Sequence, residues 1–449
     1  MTKLVFHLGD MKTGSTSIQT LLSSKSWRCD SVKLLYPVGM GVSHITFAQS
    51  LSGKVDQSRT PKLAQAIFNE IKANPDADVA VISAEDFEKV DAQALKRAIE
   101  THFPGSLDSA RFIAYVRPHA DRFPSTYAER VKTGNFLGTL EELQAVLHAR
   151  KNFVYTPRFM AWRDTFGSAF ELRPMIRELL YRKDVVADFM KFALQTEDFT
   201  LSSTPDANES LSLENLSIVR ELHVKLNGGK NKGLPYQSTI GRALARRMNE
   251  SAYHEGTKVR IHRSLAEKVR EQYGADAAAL DAAFFTGTPL TDALNAAPAK
   301  AVAEAQSVRI ADHFTAREQY LIDTLLAQTA VLIKADPEFL AGSLRVGHRT
   351  KVTADAEDGA AVVDRRRLAR GRKGSDRGEG SGRIAKVGLG KAGASGRKNL
   401  EAGTTVASGA KVGPRKLAAA RLGAGKAAAR TPGQRGAGRA KAPKADPEE

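Results

Sequence analysis

The chain has 449 residues, 42% hydrophobic and 26% charged, which is enough for two or three domains and a sizeable core. Its net charge of +17 is uneven: residues 351–449 hold 23 Lys/Arg against 10 Asp/Glu, leaving only +4 for residues 1–350. No apolar run approaches the ~18–20 residues of a membrane helix, and the lone Cys29 excludes an intramolecular disulfide or a cysteine-based metal cluster.

Met1-Thr2-Lys3 runs directly into the apolar stretch LVFHLG, without the long apolar region of a secretory leader, so a reducing, cytoplasmic location is expected. Leu4–Leu8 reads as a strand closed by Gly9. From Thr16 a helix is expected, with Ile18, Leu21 and Leu22 on one face. Pro61–Ala73 reads as a second helix, with Leu63, Ala66, Ile67 and Ile71 as its stripe and Pro61 in its first turn. Val79–Ser83 is a buried strand and Asp91–His102 a helix. Arg111–Arg117 is a third strand, closed by Pro118, and a helix follows through Tyr127 and Val131. Ala169–Leu172 completes a set of four strands, followed by a helix over Asp184–Leu194. Apolar strands alternating with helices predict an α/β fold with a central parallel sheet flanked by helices. Ligands in such sheets bind beyond the carboxyl ends of the strands.

Residues 205–340 read as a mostly helical elaboration, clearest over Leu213–Leu226 and Ala311–Ile333, with a turn-rich connection at Lys230–Pro235. This region is expected to wall a binding site of the same domain, residues 1–345. The composition then changes: no aromatic residue follows Phe339, and 18 of the 36 glycines lie in residues 351–449. Such a segment cannot bury enough apolar surface to offset chain entropy, so residues 346–449 read as a disordered basic tail.

The strongest chemical signal is HLGDMKTGSTSIQ, His7 to Gln19. It places a strand, a glycine-containing loop and a Ser/Thr-rich helix start in succession. Free backbone N–H groups and the helix dipole make that a ready anion site, and Lys12 adds a positive charge. It is not a Walker A loop, which needs Lys directly after the second Gly and then Ser/Thr for magnesium. Here Ser15 follows Gly14, and the lysine precedes Gly14 by two residues. The second signal is Tyr115-Val116-Arg117-Pro118 at a strand end, with Ser125 eight residues on. Arg117 offers planar paired donors and Ser125 a hydroxyl.

The order Lys-Thr-Gly-Ser-Thr resembles the 5′-phosphosulfate-binding loop of sulfotransferases that use 3′-phosphoadenosine 5′-phosphosulfate (PAPS). The strand-end Arg117 with Ser125 resembles the pair that grips the nucleotide 3′-phosphate in that family. Val81-Ile82-Ser83-Ala84-Glu85-Asp86-Phe87 resembles the strand and Ser-x-Glu turn between the two motifs in bacterial and carbohydrate sulfotransferases. Phe170-Glu171-Leu172-Arg173-Pro174 with Asp184–Phe189, and Phe284–Leu290, recur in form in bacterial members. The resemblance spans about residues 3–295 and leaves the tail out. It implies sulfuryl transfer from PAPS to a hydroxyl on a carbohydrate or glycolipid. Lys12 would serve the bridging oxygen. The amides of Thr13, Gly14, Ser15, Thr16 and Ser17 would hold the 5′-phosphate, and Arg117 and Ser125 the 3′-phosphate. No metal is expected.

The acceptor hydroxyl needs a general base. Glu85 is the first candidate, by analogy with carbohydrate sulfotransferases; a carboxylate facing a helix dipole is its other reading. His44 is the second, with a packing role as its other reading. His7 reads as a core histidine, and Arg173 as an acceptor-site cation or an ion-pair partner. Two further functions stay open. A nucleotide-dependent phosphotransferase with a degenerate P-loop would use Asp86 as its magnesium-side acid. A polyanion- or nucleic-acid-binding protein would act through the tail, with Arg365-Arg366-Arg367 and its Lys/Arg-spaced Ala/Gly stretches.

Overall fold

The expected N-terminal strand forms as β1, Lys3–His7, with every side chain after Lys3 buried. The structure is a computed structural model that describes residues 2–39, 41–202, 210–228, 234, 236–251, 256–340 and 342. After β1 come α1 (Ser15–Ser24), the two-residue strands β2 (Trp27–Arg28) and β3 (Leu34–Leu35), α2 (Ile45–Leu51), α3 (Thr60–Lys72) and β4 (Val79–Ser83). They are followed by α4 (Ala92–His102), β5 (Arg111–Val116), α5 (His119–Lys132), α6 (Leu140–Ala149), α7 (Thr156–Phe166), β6 (Phe170–Pro174), α8 (Val185–Leu194) and β7 (Thr200–Leu201). Five helices complete the described chain: α9 (Leu213–Asn227), α10 (Gln237–Asn249), α11 (Arg263–Phe284), α12 (Pro289–Lys300) and α13 (Ala316–Ala335).

The central sheet has the order β3-β4-β1-β5-β6, all parallel. His7 at the end of β1 lies opposite Ser83 of β4 on one side and Ile113 of β5 on the other. The chain builds outward from β1 in both directions, so the end of β1 is the topological switch point. The loop from Leu8 to Gly14 leaves from there, at the place where such sheets bind ligands.

Alternation along β1 divides the core. Leu4, Phe6 and Leu8 join Phe47, Leu95 and Phe123 on one face. Val5 joins Ile18 and Leu21 of α1 and Val186 and Phe189 of α8 on the other. Each such side chain contributes ~1.5–3 kcal/mol when fully buried. A third apolar cluster, with Leu222, Leu226, Ile240, Leu326 and Ile333, joins α9, α10 and α13.

The structure corrects the sequence-based expectation in several places. The sheet has a fifth strand, β3, whose two residues are too short to carry a period. Helices α2, α6 and α7 were not expected, although α6 opens with a capping box of Thr139 and Glu142. The helix expected from Ala311 begins at Ala316 instead. Thr315 and Glu318 form a capping box there, and a separate turn of 3₁₀ helix occupies Ile310–Asp312. Phe284–Leu290 forms the joint between α11 and α12, where the Asp281 carboxylate accepts from the Leu290 and Thr291 amides. The Lys230–Pro235 connection lies largely outside the described residues. The boundary at 345/346 and the tail with Arg365-Arg366-Arg367 lie wholly outside them. Among the described residues no helix is long and apolar enough to cross a membrane.

Candidate functional site

The loop between β1 and α1 is shaped by two glycines with left-handed backbone. At Gly9 (φ +43°) a Cβ would lie 2.6 Å from the Ala84 carbonyl oxygen and 2.7 Å from Glu85 Cα, so the loop presses against the end of β4. At Gly14 (φ +82°) a Cβ would lie 2.6 Å from Cγ1 of Val185, the first residue of α8. Gly14→Ala is therefore expected to destabilise the fold by on the order of 2 kcal/mol or more, from the positive φ and the clash together. Adding Val185→Ala should recover only the clash. Thermal unfolding of the single and double variants checks this; an unchanged midpoint in Gly14→Ala would refute the placement of α1 against α8.

Gly14 is also the N-cap of α1, and no side chain caps that helix. By contrast Asp91, Thr139, Asp184, Ser212 and Thr315 cap α4, α6, α8, α9 and α13. The first helical bond is Ile18 N–H to Gly14 O, at 3.1 Å, so the amides of Ser15, Thr16 and Ser17 precede the first helical donor. Thr13 and Ser15 turn their hydroxyls inward and donate to Asp10 O at 2.7 and 3.2 Å. Thr16 is exposed and Ser17 half-buried. The loop thus offers its amides and two outer hydroxyls, while the two inner hydroxyls hold its shape.

Beneath the loop lies a charged cluster that was not expected from the sequence. The Asp10 carboxylate is fully buried and accepts from Arg122 at 2.7 Å and from Arg158 at 3.0 Å. Burial would raise its pKa, but the two guanidiniums more than reverse that and hold it well below the carboxylate range. Glu88 contacts the same two arginines and accepts from the Met11 amide at 3.3 Å. Burial and the Asp10 charge push it up to about 7. A raised carboxyl contributes stability at low pH that is lost as pH rises through its folded pKa. Glu88→Gln should therefore gain stability relative to the parent between pH 5 and pH 8, on the order of 1–3 kcal/mol. Chemical unfolding across that range tests it; parallel pH profiles would refute it.

Lys12 adopts φ +68°, an uncommon backbone for a lysine, and its Nζ lies 2.8 Å from Glu129 Oε2. Burial lowers the Lys12 pKa, and Glu129 offsets part of the shift. Glu129, on α5, also pairs with Lys132 and with Arg242 of α10. Burial would raise its carboxyl, but these three cations hold it at about 2. Glu85 lies just past β4, where Gly9 of the loop packs against its Cα. Burial raises its pKa, and the charges of Lys12 and Arg242 moderate the rise.

Arg117 and Ser125 are brought together. Arg117 Nη1 donates to the Lys12 carbonyl at 2.9 Å and to Ser125 Oγ at 3.4 Å, so one guanidinium joins the loop to α5. Both residues line a cavity of about 980 Å³ that reaches Val185, the neighbour of Gly14. Met175, Ile176, Leu180 and Ile261 give it apolar wall, and Arg177, Lys183, Lys258, Arg260 and Lys300 supply further cations that outnumber its carboxylates, Asp121, Glu178 and Asp184.

No protein-family model, curated protein or solved structure matches the chain.

The remaining candidates sit elsewhere. His44 is buried at the start of α2; Nε2 lies 2.9 Å from Pro37 O, and Nδ1 accepts from the Ser83 amide at 3.0 Å. Burial lowers its pKa to about 4, so the ring fastens α2 to β4. His7 is a core histidine, with Nδ1 2.8 Å from Ser83 Oγ and a pKa lowered to about 3 by burial. Arg173 is an ion-pair residue, held by Glu171 at 2.6 Å and Asp188 at 2.7 Å. The Asp86 carboxylate is engaged by Gln49, Lys54 and Lys89.

Proposed function

We propose that this chain is a PAPS-dependent sulfotransferase that transfers a sulfuryl group to a hydroxyl of a carbohydrate or glycolipid. The observation that carries the reading is the Arg117 guanidinium. It touches both the lysine-bearing loop and Ser125, at a cationic cavity that begins beside the uncapped start of α1. A nucleotide with phosphates at both its 5′ and 3′ positions matches those two anion sites, and the apolar wall suits its base.

In this reading the amides of residues 13–17 hold the 5′-phosphate and Arg117 with Ser125 the 3′-phosphate. The acceptor oxygen attacks sulfur in line, the bond from sulfur to the phosphate oxygen breaks, and 3′-phosphoadenosine 5′-phosphate (PAP) leaves. Lys12 exchanges its contact with Glu129 for the leaving oxygen, where negative charge develops. Glu85 takes the acceptor proton, and burial, which raises its pKa, makes it a stronger base than an exposed carboxylate. His44 is assigned a structural role, because both ring nitrogens already have backbone partners. The phosphotransferase reading asks Asp86 to face the loop, and its carboxylate is instead tied to Gln49, Lys54 and Lys89.

The test is calorimetric titration of the full chain with PAP in the presence of a chelator, and with ATP plus magnesium. Binding of PAP without metal, and tighter than that of magnesium–ATP, is the expected result. Magnesium–ATP binding without PAP binding would overturn the proposal in favour of a phosphotransferase. Binding of neither would leave the fold without this donor site and refute it.

A further inference from the structure

Helix α10 carries three arginines and no acidic residue over Gln237–Asn249. A glycine sets where it sits. A Cβ on Gly241 would lie 2.0 Å from the Lys132 carbonyl oxygen at the end of α5, so the two backbones meet there, one residue before Arg242. Ile240, on the other side of that glycine, shares an apolar cluster with Leu222 and Leu326. Packing rather than a salt bridge therefore docks α10, and it delivers Arg242 beside the lysine-bearing loop.

Arg242 Nη2 lies 2.8 Å from Glu129 Oε1, and Lys12 Nζ lies 2.8 Å from Glu129 Oε2. The guanidinium and the lysine thus stand on the two oxygens of one carboxylate. Glu129 already has a second ammonium, Lys132, at 2.5 Å, so Arg242 is surplus to its neutralisation. The Arg242 side chain is 61% exposed, where an ion pair contributes only ~0–1 kcal/mol. Its Nε and Nη1 bond to nothing among the described residues. Three cations, Lys12, Lys132 and Arg242, here face two carboxylates, Glu129 and Glu85, an excess of one. The acid next to Glu85, Asp86, is matched by Lys54 and Lys89. Arg246, one turn along the same face of α10, adds a further cation, and Glu250 beyond the helix pairs with Arg247 at 3.1 Å. A guanidinium with an open edge takes a carboxylate or a phosphate through paired hydrogen bonds. An acceptor hydroxyl placed at Lys12 sets the same or the adjoining sugar against that edge.

We propose that the acceptor is an acidic carbohydrate, and that Arg242 binds an anionic group next to its reacting hydroxyl. The inference rests on the sulfotransferase reading and names the class of its acceptor. The test is calorimetric titration of the full chain and of Arg242→Ala with a hexasaccharide of β-1,4-linked glucuronate, with cellohexaose, its uncharged counterpart on the same backbone, and with PAP. Cellohexaose phosphorylated at its 6-positions, titrated in parallel, distinguishes a phosphate from a carboxylate. The parent should prefer an acidic hexasaccharide to cellohexaose. Arg242→Ala should weaken that binding about tenfold or more, and leave cellohexaose and PAP within about threefold. Arg242→Lys should lie between, because it keeps the charge without the fork. The basic tail is the same in every variant, so its own binding does not enter the difference. Equal binding of charged and uncharged hexasaccharides by the parent would overturn the proposal, as would acidic binding that Arg242→Ala leaves unchanged. A loss of PAP affinity as large as that of the acidic sugar would make Arg242 a donor-site residue and overturn it too. A parent that does not bind PAP would refute the sulfotransferase reading, while the hexasaccharides would still decide whether Arg242 is an anion site.

Discussion

Under the proposed sulfotransferase activity, Lys12→Ala is expected to lower the rate of sulfuryl transfer from PAPS by ~10²–10³, the usual cost of removing one preorganised group from the site of developing charge. The fall should appear in kcat, because the leaving oxygen carries its full charge only as the bond to sulfur breaks. Affinity for PAP should weaken by a smaller factor, roughly tenfold, through loss of one charged contact. The fold should tolerate the change. Glu129 keeps Lys132 and Arg242 as partners when Lys12 is removed, so no carboxylate is stranded. The positive φ at position 12 disfavours alanine and lysine alike. Lys12→Met, which keeps the aliphatic stem and removes only the charge, should lose as much rate as Lys12→Ala. Steady-state kinetics of both variants with a hydroxyl acceptor, together with their thermal unfolding, make the test. A kcat within tenfold of the parent in both would remove Lys12 from the chemistry.

The loop was legible in the sequence because its parts are contiguous. Gly9, Lys12, Gly14 and the Ser/Thr run follow a short apolar strand, and β1 and α1 form around them. Arg117 and Ser125 were legible because a strand end and the first two turns of the following helix bring residues eight apart together. The supporting charges were not. Asp10 stands in plain view in the loop, but its partner Arg158 is 148 residues away on α7, a helix that the periodicity did not mark. Glu129 and Arg242 meet only through the packing of α10 against α5, which no local pattern encodes. His44 illustrates the converse. Its residue type suited a base, but a sequence does not show that both ring nitrogens are bound to backbone. Neighbouring charge, rather than residue identity, separates the two carboxylates beside Lys12: burial raises both, but only Glu129 is ringed by enough cations to be held down.

Arg117→Ala should collapse the preference for PAP over AMP, which differ in the 3′-phosphate. A guanidinium fork on a phosphate contributes ~1.5–3 kcal/mol, or about 10- to 150-fold in affinity, and that loss should fall on PAP alone. The expected change in AMP affinity is within about threefold, a few tenths of a kcal/mol. Arg117→Lys should lie between, because a lysine keeps the charge but not the paired geometry. Ser125→Ala should cost PAP roughly fivefold, the loss of one neutral hydroxyl donor. Arg117 also bonds the Lys12 carbonyl, so it supports the loop as well as the cavity. The comparison of nucleotides separates these roles. If Arg117→Ala weakens PAP and AMP by the same factor, Arg117 acts by shaping the loop, and the 3′-phosphate belongs to other cations of the cavity. If only PAP weakens, Arg117 acts at the 3′-phosphate, and the loop keeps its shape without the bond to the Lys12 carbonyl. Calorimetric titration of the parent and the three variants with each nucleotide decides between them.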